Sequence, residues 1–313
     1  MHGAGYMRPE KSRKKVSRKE GLMALLFIFP SLFILNAVGF FPLILSLLSS
    51  FFRWSMVKTG LSLGEFVGLT NYVSIFTERT FLTSLKVTFI YVTCVLVIEF
   101  FLGLALALSL TGNMRGKGLF RTIVLTPLML TPVVVGLAWR LIFEPSFGIM
   151  NYFFEILGLP RINWLGDPRY ALPAVIIVDI WQWTPFIALV LMAGLESIPL
   201  DIYEAAEVDG ASRRAKFFSI TLPLLKPAIF VALMFRIADA FKAFDTILMI
   251  TRGGPAGSTE TLTLWIYKVA FSHLELGMTS AASYILMLIV LPPVLILTRL
   301  LTGKEGLSAL LRR

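Results

Sequence analysis

Cysteine and histidine are almost absent from this chain of 313 residues, which has one Cys and two His. Cys94 lies inside an apolar run, so the sequence excludes a disulfide within the chain and a cysteine-rich metal site. His2 and His273 leave little material for zinc or hydrolytic chemistry. The phosphate-binding pattern G-x-x-x-x-G-K is missing too, because Gly112 and Gly116 are one residue too close. We therefore expect no catalytic residue, no metal site and no cofactor on this chain.

Charged residues are also scarce. They make up 15% of the chain, against 57% hydrophobic residues and a mean hydropathy of +0.80. A soluble globular domain has about 25% charged residues, so this composition predicts an integral membrane protein. The net charge of +10 is concentrated in segments that flank apolar runs, where it orients a membrane protein rather than binding nucleic acid. We expect membrane lipids, and no nucleic acid, as partners.

Six apolar runs predict an all-α, polytopic membrane protein, because about 20 helical residues cross roughly 30 Å of hydrocarbon. The runs lie near 22–50, 84–111, 119–143, 171–195, 226–251 and 277–301. They form a membrane domain at 21–302, between a basic tail at 1–20 and a short tail at 303–313. If the N-terminus is cytoplasmic, the inside segments hold eighteen Lys and Arg residues and the outside loops seven. This bias predicts that both termini and the loop at 196–223 are cytoplasmic.

The loop at 196–223 is polar and alanine-rich, although it lies between two apolar runs. Pro199 suits the start of a helix, Gly210 can adopt a positive φ and Ser212 can cap a following helix. The loop is therefore predicted to form a short helix, a tight turn and a second short helix. Its small apolar residues, edged by acids, suit the groove of a partner protein. An ordinary amphipathic surface hairpin fits the same residues.

In the hairpin, Glu204-Ala205-Ala206 is followed after three residues by Gly210, and after nine more by Ile220-x-Leu222-Pro223. This pattern resembles the EAA loop of ABC-importer permeases. Further stretches narrow the resemblance to the carbohydrate-type permeases, relatives of the maltose and glycerol-3-phosphate importers, over roughly residues 20 to 302. These stretches are FVGLTNY at 66–72, WQWTPF at 181–186, FKAFD at 241–245, GGP at 253–255 and YKVAF at 267–271.

The resemblance implies the type I ABC-importer permease fold, a non-catalytic membrane subunit, and location in the plasma (inner) membrane of a prokaryote. It implies a second homologous permease in a heterodimer, two ATPase subunits that hold ATP and Mg, an external solute-binding protein and a sugar or related polyol as solute. It also assigns contact with the ATPase to the cytoplasmic hairpin. The implied coupling residues are Tyr203, Glu204, Ala205, Ala206, Asp209, Gly210, Ile220, Leu222 and Pro223.

The fifth run contains four charged residues, each three positions from the next: Arg236, Asp239, Lys242 and Asp245. Charges inside a span are costly and usually face a cavity or another helix. At this spacing they could pair along one helix, or they could contact a solute, and the residues alone leave both open. The embedded charges Glu99 and Arg140 are interpreted as helix-packing partners.

The fourth run combines aromatic rings with hydrogen-bonding groups, a mixture that suits sugars. Pro185 is predicted to break the helix there. In the maltose-type relatives, the sugar site lies on the segments that match the fourth and fifth runs. The resemblance therefore implies a solute path formed by Asp179, Gln182, Trp183, Phe186, Arg236, Asp239 and Ala240.

Two other functions are alternatives to an importer permease. An ion-coupled secondary transporter could use the embedded charges of the fifth run, but it leaves the pattern at 204–223 unexplained. An intramembrane enzyme would have to function with one Cys and no His in the spans.

Overall fold

The computed structural model describes residues 18–111 and 116–311 as a helical structure with one small β-ribbon. Most of the predicted basic tail at 1–20 therefore lies outside the described residues. The first span consists of α1 (Arg18–Ile34), a π-helical segment (Leu35–Phe40) and α2 (Phe41–Ser49). Apolar side chains along this first span are exposed, as a lipid-facing helix requires.

A small cap of non-spanning structure follows the first span. Strands β1 (Phe52–Arg53) and β2 (Glu65–Phe66) pair antiparallel, with Phe52 opposite Phe66. Helix α3 (Thr70–Thr77) lies next to them, and Asn71 donates from its side chain to the carbonyls of Ser50 and Phe52 at 2.8 Å each. These bonds fix the cap to the end of α2.

The second span, α4 (Arg79–Thr111), packs along most of its length against another long helix, α8 (Pro168–Glu196). Gly103 makes this close approach possible, because a Cβ at that position would lie 2.7 Å from Ile187 Cγ2. Helix α8 runs without interruption through Pro185. The predicted break at Pro185 is therefore wrong, since neighbouring helices retain the chain in helical geometry.

The third span is broken. Helix α5 (Lys117–Leu125) continues as a 3-10 turn (Thr126–Met129), and α6 (Pro132–Ile142) follows at an angle of 97°. The prediction of one continuous helix over 119–143 is wrong at this point, because Pro132 cannot donate a backbone hydrogen bond and favours an extended residue before it. Thr131 is extended, with φ −69° and ψ 141°.

Between α6 and α8 lies the short helix α7 (Ile149–Ile156). After α8, the chain forms α9 (Leu200–Val208), α10 (Arg213–Lys216) and a π-helical turn (Phe217–Thr221) that leads into α11 (Leu222–Ala240). The remaining helices are α12 (Asp245–Ile250), α13 (Leu262–Phe271) and α14 (Leu276–Leu311). The helix α14 therefore passes the predicted end of the last span at 301 and enters the segment predicted as a tail, 303–313.

Within the described residues, five helices are long and apolar enough to cross a membrane, and the bent pair α5–α6 would make a sixth. The fifth predicted run, 226–251, differs from the structure at both ends. Its spanning helix begins at Arg213 and ends at Ala240, and residues 241–244 separate it from α12. The largest buried cluster joins α4, α6, α8, α11 and α12, and the ion cluster described below lies within this region.

Candidate functional site

A cavity of about 80 Å³ lies where α8, the end of α11 and the break in the third span meet. Three of the predicted path residues, Asp179, Trp183 and Asp239, line it. The other lining residues are Tyr91, Pro132, Lys242, Ala243, Phe244, Asp245 and Thr246. The breaks after Leu130 and after Ala240 bring Pro132 and Lys242 to this wall, so the cavity depends on both interruptions of the helical structure.

Arg236 is the centre of a buried ion cluster behind this cavity. Its Nε donates to Glu99 Oε2 at 2.7 Å, and its Nη2 donates to Glu99 Oε1 at 2.9 Å. The side chains of Arg236 and Glu99 are 1% and 0% exposed. This two-bond geometry is the strongest arrangement between guanidinium and carboxylate. It confirms the interpretation of Glu99 as a packing partner between helices.

Two further carboxylates contact the same guanidinium. Nη2 of Arg236 donates to Asp179 Oδ2, and Nη1 donates to Asp239 Oδ2 at 2.9 Å. The Asp179 side chain is 7% exposed, whereas that of Asp239 is 47% exposed. The guanidinium carbon also lies 5.2 Å from the ring centroid of Trp183, a cation–π distance. Arg236 therefore orients both cavity aspartates and the tryptophan.

The structure shows this cluster in place of the pairing along one helix, which was one of the two arrangements that the sequence left open. Arg236 and Asp239 pair at the i, i+3 spacing, but α11 ends at Ala240, so Lys242 and Asp245 lie outside that helix. Both are exposed residues of the cavity wall. The main partner of Arg236 is on α4 rather than on its own helix. Of the four charged residues of the fifth run, only Arg236 and Asp239 therefore pair along one helix.

The other predicted path residues lie near the cavity but do not line it. Gln182 is buried, and its amide nitrogen donates to the Leu130 carbonyl at 3.2 Å, at the break of the third span. Phe186 packs edge-on against Trp183, with ring centroids 6.5 Å apart. Ala240 is 1% exposed in the core. Gln182 thus holds the bend, and Phe186 positions the tryptophan ring.

Sequence reasoning missed Tyr91 and Pro132 as cavity residues. Tyr91 is 1% exposed overall but reaches the cavity from α4. No local pattern distinguishes Tyr91 from the other aromatic residues of its apolar run. For Pro132 a signal was present, because the third run contains two prolines five residues apart, Pro127 and Pro132. Such a pair in one apolar run is typical of a broken span.

The predicted hairpin at 196–223 is present at one end of the helical body. Pro199 precedes α9, Gly210 has φ +72°, and Ser212 Oγ accepts a hydrogen bond from the Ala215 N–H at 3.2 Å. The turn closes with the Ala211 N–H donating to the Ala206 carbonyl at 2.9 Å. These observations confirm the predicted helix, turn and second helix.

Two side-chain contacts hold the hairpin in shape. The hydroxyls of Tyr203 and Thr221 lie 2.9 Å apart, and Lys216 Nζ donates to Glu207 Oε1 at 2.5 Å. The hydrogen bond from Lys216 keeps the pKa of the Glu207 carboxyl below its ordinary value. The first contact joins α9 to the entry of the fifth span, so a force on α9 reaches that span directly.

Most of the residues predicted to couple the hairpin to a partner lie on its surface. The exposed ones are Glu204, Ala205, Asp209, Gly210 and Pro223. The half-buried ones are Tyr203, Ala206, Ile220 and Leu222. Large apolar side chains next to them are open as well, with Leu200 71% and Val208 88% exposed. Apolar residues this exposed, edged by acids, form a surface that a protein partner could cover.

A group of charges connects the base of the hairpin to the third span. Glu196, the last residue of α8, pairs with Lys117 at 3.4 Å and with Arg121 of α5. The two cations also donate to the end of α4, Lys117 to the Thr111 carbonyl and Arg121 to the Leu110 carbonyl. The segment that leads into α9 is thereby tied to two other spans.

Comparison with known proteins accounts for the spans and the hairpin together. Residues 99–303 match the family model described as "Binding-protein-dependent transport system inner membrane component". The chain is 39% identical over 265 residues to the probable ABC transporter permease protein y4oQ of Sinorhizobium fredii, covering 85% of each chain. It is 43% identical over 212 residues to the trehalose/maltose transport system permease protein MalF of Thermococcus litoralis, covering 68% of this chain and 70% of that protein.

The fold also matches a solved structure. A bacterial ABC transporter involved in the import of the acidic polysaccharide alginate superposes with a TM-score of 0.79 at 23% identity, over 91% of this chain and 97% of that chain. The predicted all-α, polytopic fold of a type I importer permease is confirmed, as is the resemblance to the ABC-importer permeases. The chain therefore belongs to the family of inner-membrane components of binding-protein-dependent transport systems, and it is a permease subunit of an ABC transporter.

Proposed function

We propose that this permease forms part of the translocation path for a sugar, and that the cavity lined by Asp179, Trp183 and Asp239 is where the solute contacts it. The observation that carries the proposal is the combination, in one cavity, of aromatic rings with carboxylates held by Arg236. The 43% identity to a permease named for trehalose and maltose supports the same class of solute.

The chemistry of a sugar matches these groups. Its C–H faces stack on rings such as Trp183, while its hydroxyls donate hydrogen bonds. Asp239 is half-exposed, and Arg236 occupies one oxygen, so the other oxygen can accept from a hydroxyl. A hydrogen bond to a charged group contributes about 1.5–3 kcal/mol. One or two such bonds hold a solute without trapping it, as transport requires.

A second permease subunit is needed to complete this path. Pockets that enclose a drug-sized ligand measure roughly 300–1,000 Å³, and the cavity here measures about 80 Å³. It can form one wall of a sugar site but cannot enclose a disaccharide. We therefore infer that a homologous permease supplies the opposite wall, in a heterodimer.

We propose that the hairpin couples the solute path to ATP hydrolysis. We infer that its exposed surface, with Glu204, Ala205 and Asp209, docks on a separate ATPase subunit that binds ATP and Mg, and that two such subunits serve the pair of permeases. On this inference the hairpin and both termini are cytoplasmic, and the bias of Lys and Arg in the flanking segments supports that orientation. An external binding protein would deliver the sugar to the opposite face.

The test is reconstitution of the complete transporter in proteoliposomes, with uptake of sugar and ATP hydrolysis measured separately. Trp183→Ala and Asp239→Asn should each reduce uptake and leave basal ATP hydrolysis in place, because neither side chain belongs to the hairpin. Glu204→Lys should abolish the stimulation of ATP hydrolysis by solute, because the reversed charge opposes docking. The same reversal at Glu78, an exposed residue between α3 and α4 and outside both regions, is the matched control and should change neither measurement.

Two results would contradict the proposal. Unchanged coupling in Glu204→Lys would remove the hairpin from contact with the ATPase. Uptake driven by an ion gradient through this chain alone, without ATPase subunits, would instead favour the ion-coupled secondary transporter.

A further inference from the structure

The residues around the cavity include more acidic than basic side chains. Three aspartates line it, Asp179, Asp239 and Asp245, together with one cation, Lys242. Behind this wall, Arg236 adds one positive charge and Glu99 one negative charge. Four carboxylates therefore share two cations among the described residues of this region. Inside a membrane such an excess of negative charge interacts strongly with a charged solute, because water and salt screen it poorly.

The arginine offers little to an anionic solute. Proteins use Arg to recognise phosphate, sulfonate and carboxylate groups through its five N–H donors. In Arg236, four hydrogen bonds already go to Glu99, Asp179 and Asp239. One face of the guanidinium is directed at Trp183, and the side chain is 1% exposed. An anion could bind it only by displacing a carboxylate that is already paired.

Lys242 does not provide the anion-binding group that the paired Arg236 fails to offer. It is exposed at the cavity wall, on the turn that follows α11. Its neighbours along that wall are Asp239 and Asp245, so an anion that approached the ammonium group would also approach two carboxylates. The same carboxylates are good acceptors for neutral hydroxyls, because each carboxylate has about four acceptor positions.

We propose that the cavity selects a neutral, polyhydroxylated solute against anionic sugars of the same skeleton, and that Asp239 is the main determinant of this selectivity. The inference rests on the proposed function, since it concerns the same cavity. It specifies the solute class within a fold that also occurs in an importer of an acidic polysaccharide. Asp239 acts in two ways: it repels an anion directly, and it occupies the Arg236 Nη1 donor that an anion would need.

The experiment compares trehalose and maltose with their 6-phosphates in proteoliposomes that contain the complete transporter. Initial uptake rates are measured as a function of concentration for wild type, Asp239→Asn and Asp245→Asn. Glu78→Gln removes one negative charge outside the cavity and is the matched control. Asp245 has no ion pair among the described residues, so its variant keeps the test valid if Asp239→Asn fails to fold. The same binding protein is used throughout, so a change in the ratio of rates reports the permease.

We expect the wild type to transport the neutral sugars at least about tenfold more efficiently than the phosphates, which corresponds to about 1.4 kcal/mol. Asp239→Asn should narrow this ratio at least about threefold, Asp245→Asn should narrow it by less, and Glu78→Gln should leave it unchanged.

Each other outcome overturns a defined part of the argument. Equal transport of phosphates and neutral sugars by wild type would overturn the inference and leave sugar transport intact. A tenfold ratio that neither aspartate variant changes would assign the selectivity to the binding protein, which also overturns it. If neither class of sugar is taken up or stimulates ATP hydrolysis, the proposed function fails, and the inference fails with it.

Discussion

Replacing Arg236 with methionine tests the buried ion cluster, because the change keeps a long apolar stem and removes the cation that three carboxylates share. Breaking a buried ion pair by removing one partner costs about 3–5 kcal/mol. Most of this cost should come from Glu99 and Asp179, whose side chains are 0% and 7% exposed. Asp239, at 47% exposure, can be solvated and should contribute little.

This loss can be measured as thermal stability in detergent. At about 2 °C per kcal/mol for a large domain, Arg236→Met should lower the apparent Tm by about 6–10 °C. Unfolding would be followed by tryptophan fluorescence at one fixed heating rate, because membrane proteins unfold irreversibly and the apparent Tm depends on that rate. Lys242→Met is the matched control, since it removes a positive charge from the same region at an exposed position without an ion pair among the described residues. It should shift the apparent Tm by no more than about 1 °C.

A second substitution tests why Arg236→Met loses thermal stability. Adding Glu99→Gln to Arg236→Met removes the carboxylate that is left without its partner, so part of the lost stability should return, as a double-mutant cycle would show. An apparent Tm for Arg236→Met within about 2 °C of wild type would refute the reasoning. So would a double variant that is less stable than Arg236→Met alone.

Three further predictions follow from the fold. Gly210→Val should abolish the stimulation of ATP hydrolysis by solute while membrane insertion persists, because a β-branched residue is strained at φ +72°; normal stimulation would contradict this. A cysteine at Ala256, an exposed residue of the loop that follows α12, should react with an impermeant thiol reagent from outside, and one at Ser212 only after the membrane is opened; the reverse pattern would invert the topology. Gly103→Ala should lower the apparent Tm, because its Cβ would lie 2.7 Å from a neighbouring side chain on α8, whereas Gly118→Ala meets open space and should not.

The hairpin was predictable from sequence because its signals are local. Pro199, Gly210 and Ser212 each act on the backbone within one or two residues, through a fixed φ, a positive φ and a cap. Surrounding structure changes such signals little. The spans were predictable for a related reason, since the length of an apolar run reflects the thickness of the hydrocarbon layer.

The cavity was only partly predictable, because its key contacts are not local. Glu99 and Arg236 are 137 residues apart, and the hydropathy of the sequence does not show which acidic residue pairs with which basic residue. The end of α11 at Ala240 was missed for a similar reason: an apolar run continues through the turn after it. Asp179, Trp183 and Asp239 were found among the lining residues because they are polar or aromatic residues on the two runs that the resemblance assigns to the solute path. Tyr91 was missed because a different helix supplies it.

The ion cluster also has a consequence for how this protein is made. Its charges are on three spans, α4, α8 and α11, which leave the ribosome in that order. A single charge at the centre of an inserting helix costs about 2.5–3.5 kcal/mol, so α4 and α8 each enter the membrane with an acid that has no cation nearby. Their cation arrives 57 residues after Asp179 and 137 after Glu99. A chain truncated before residue 236 would therefore keep both carboxylates inside its spans without the cation that pairs with them in the complete fold.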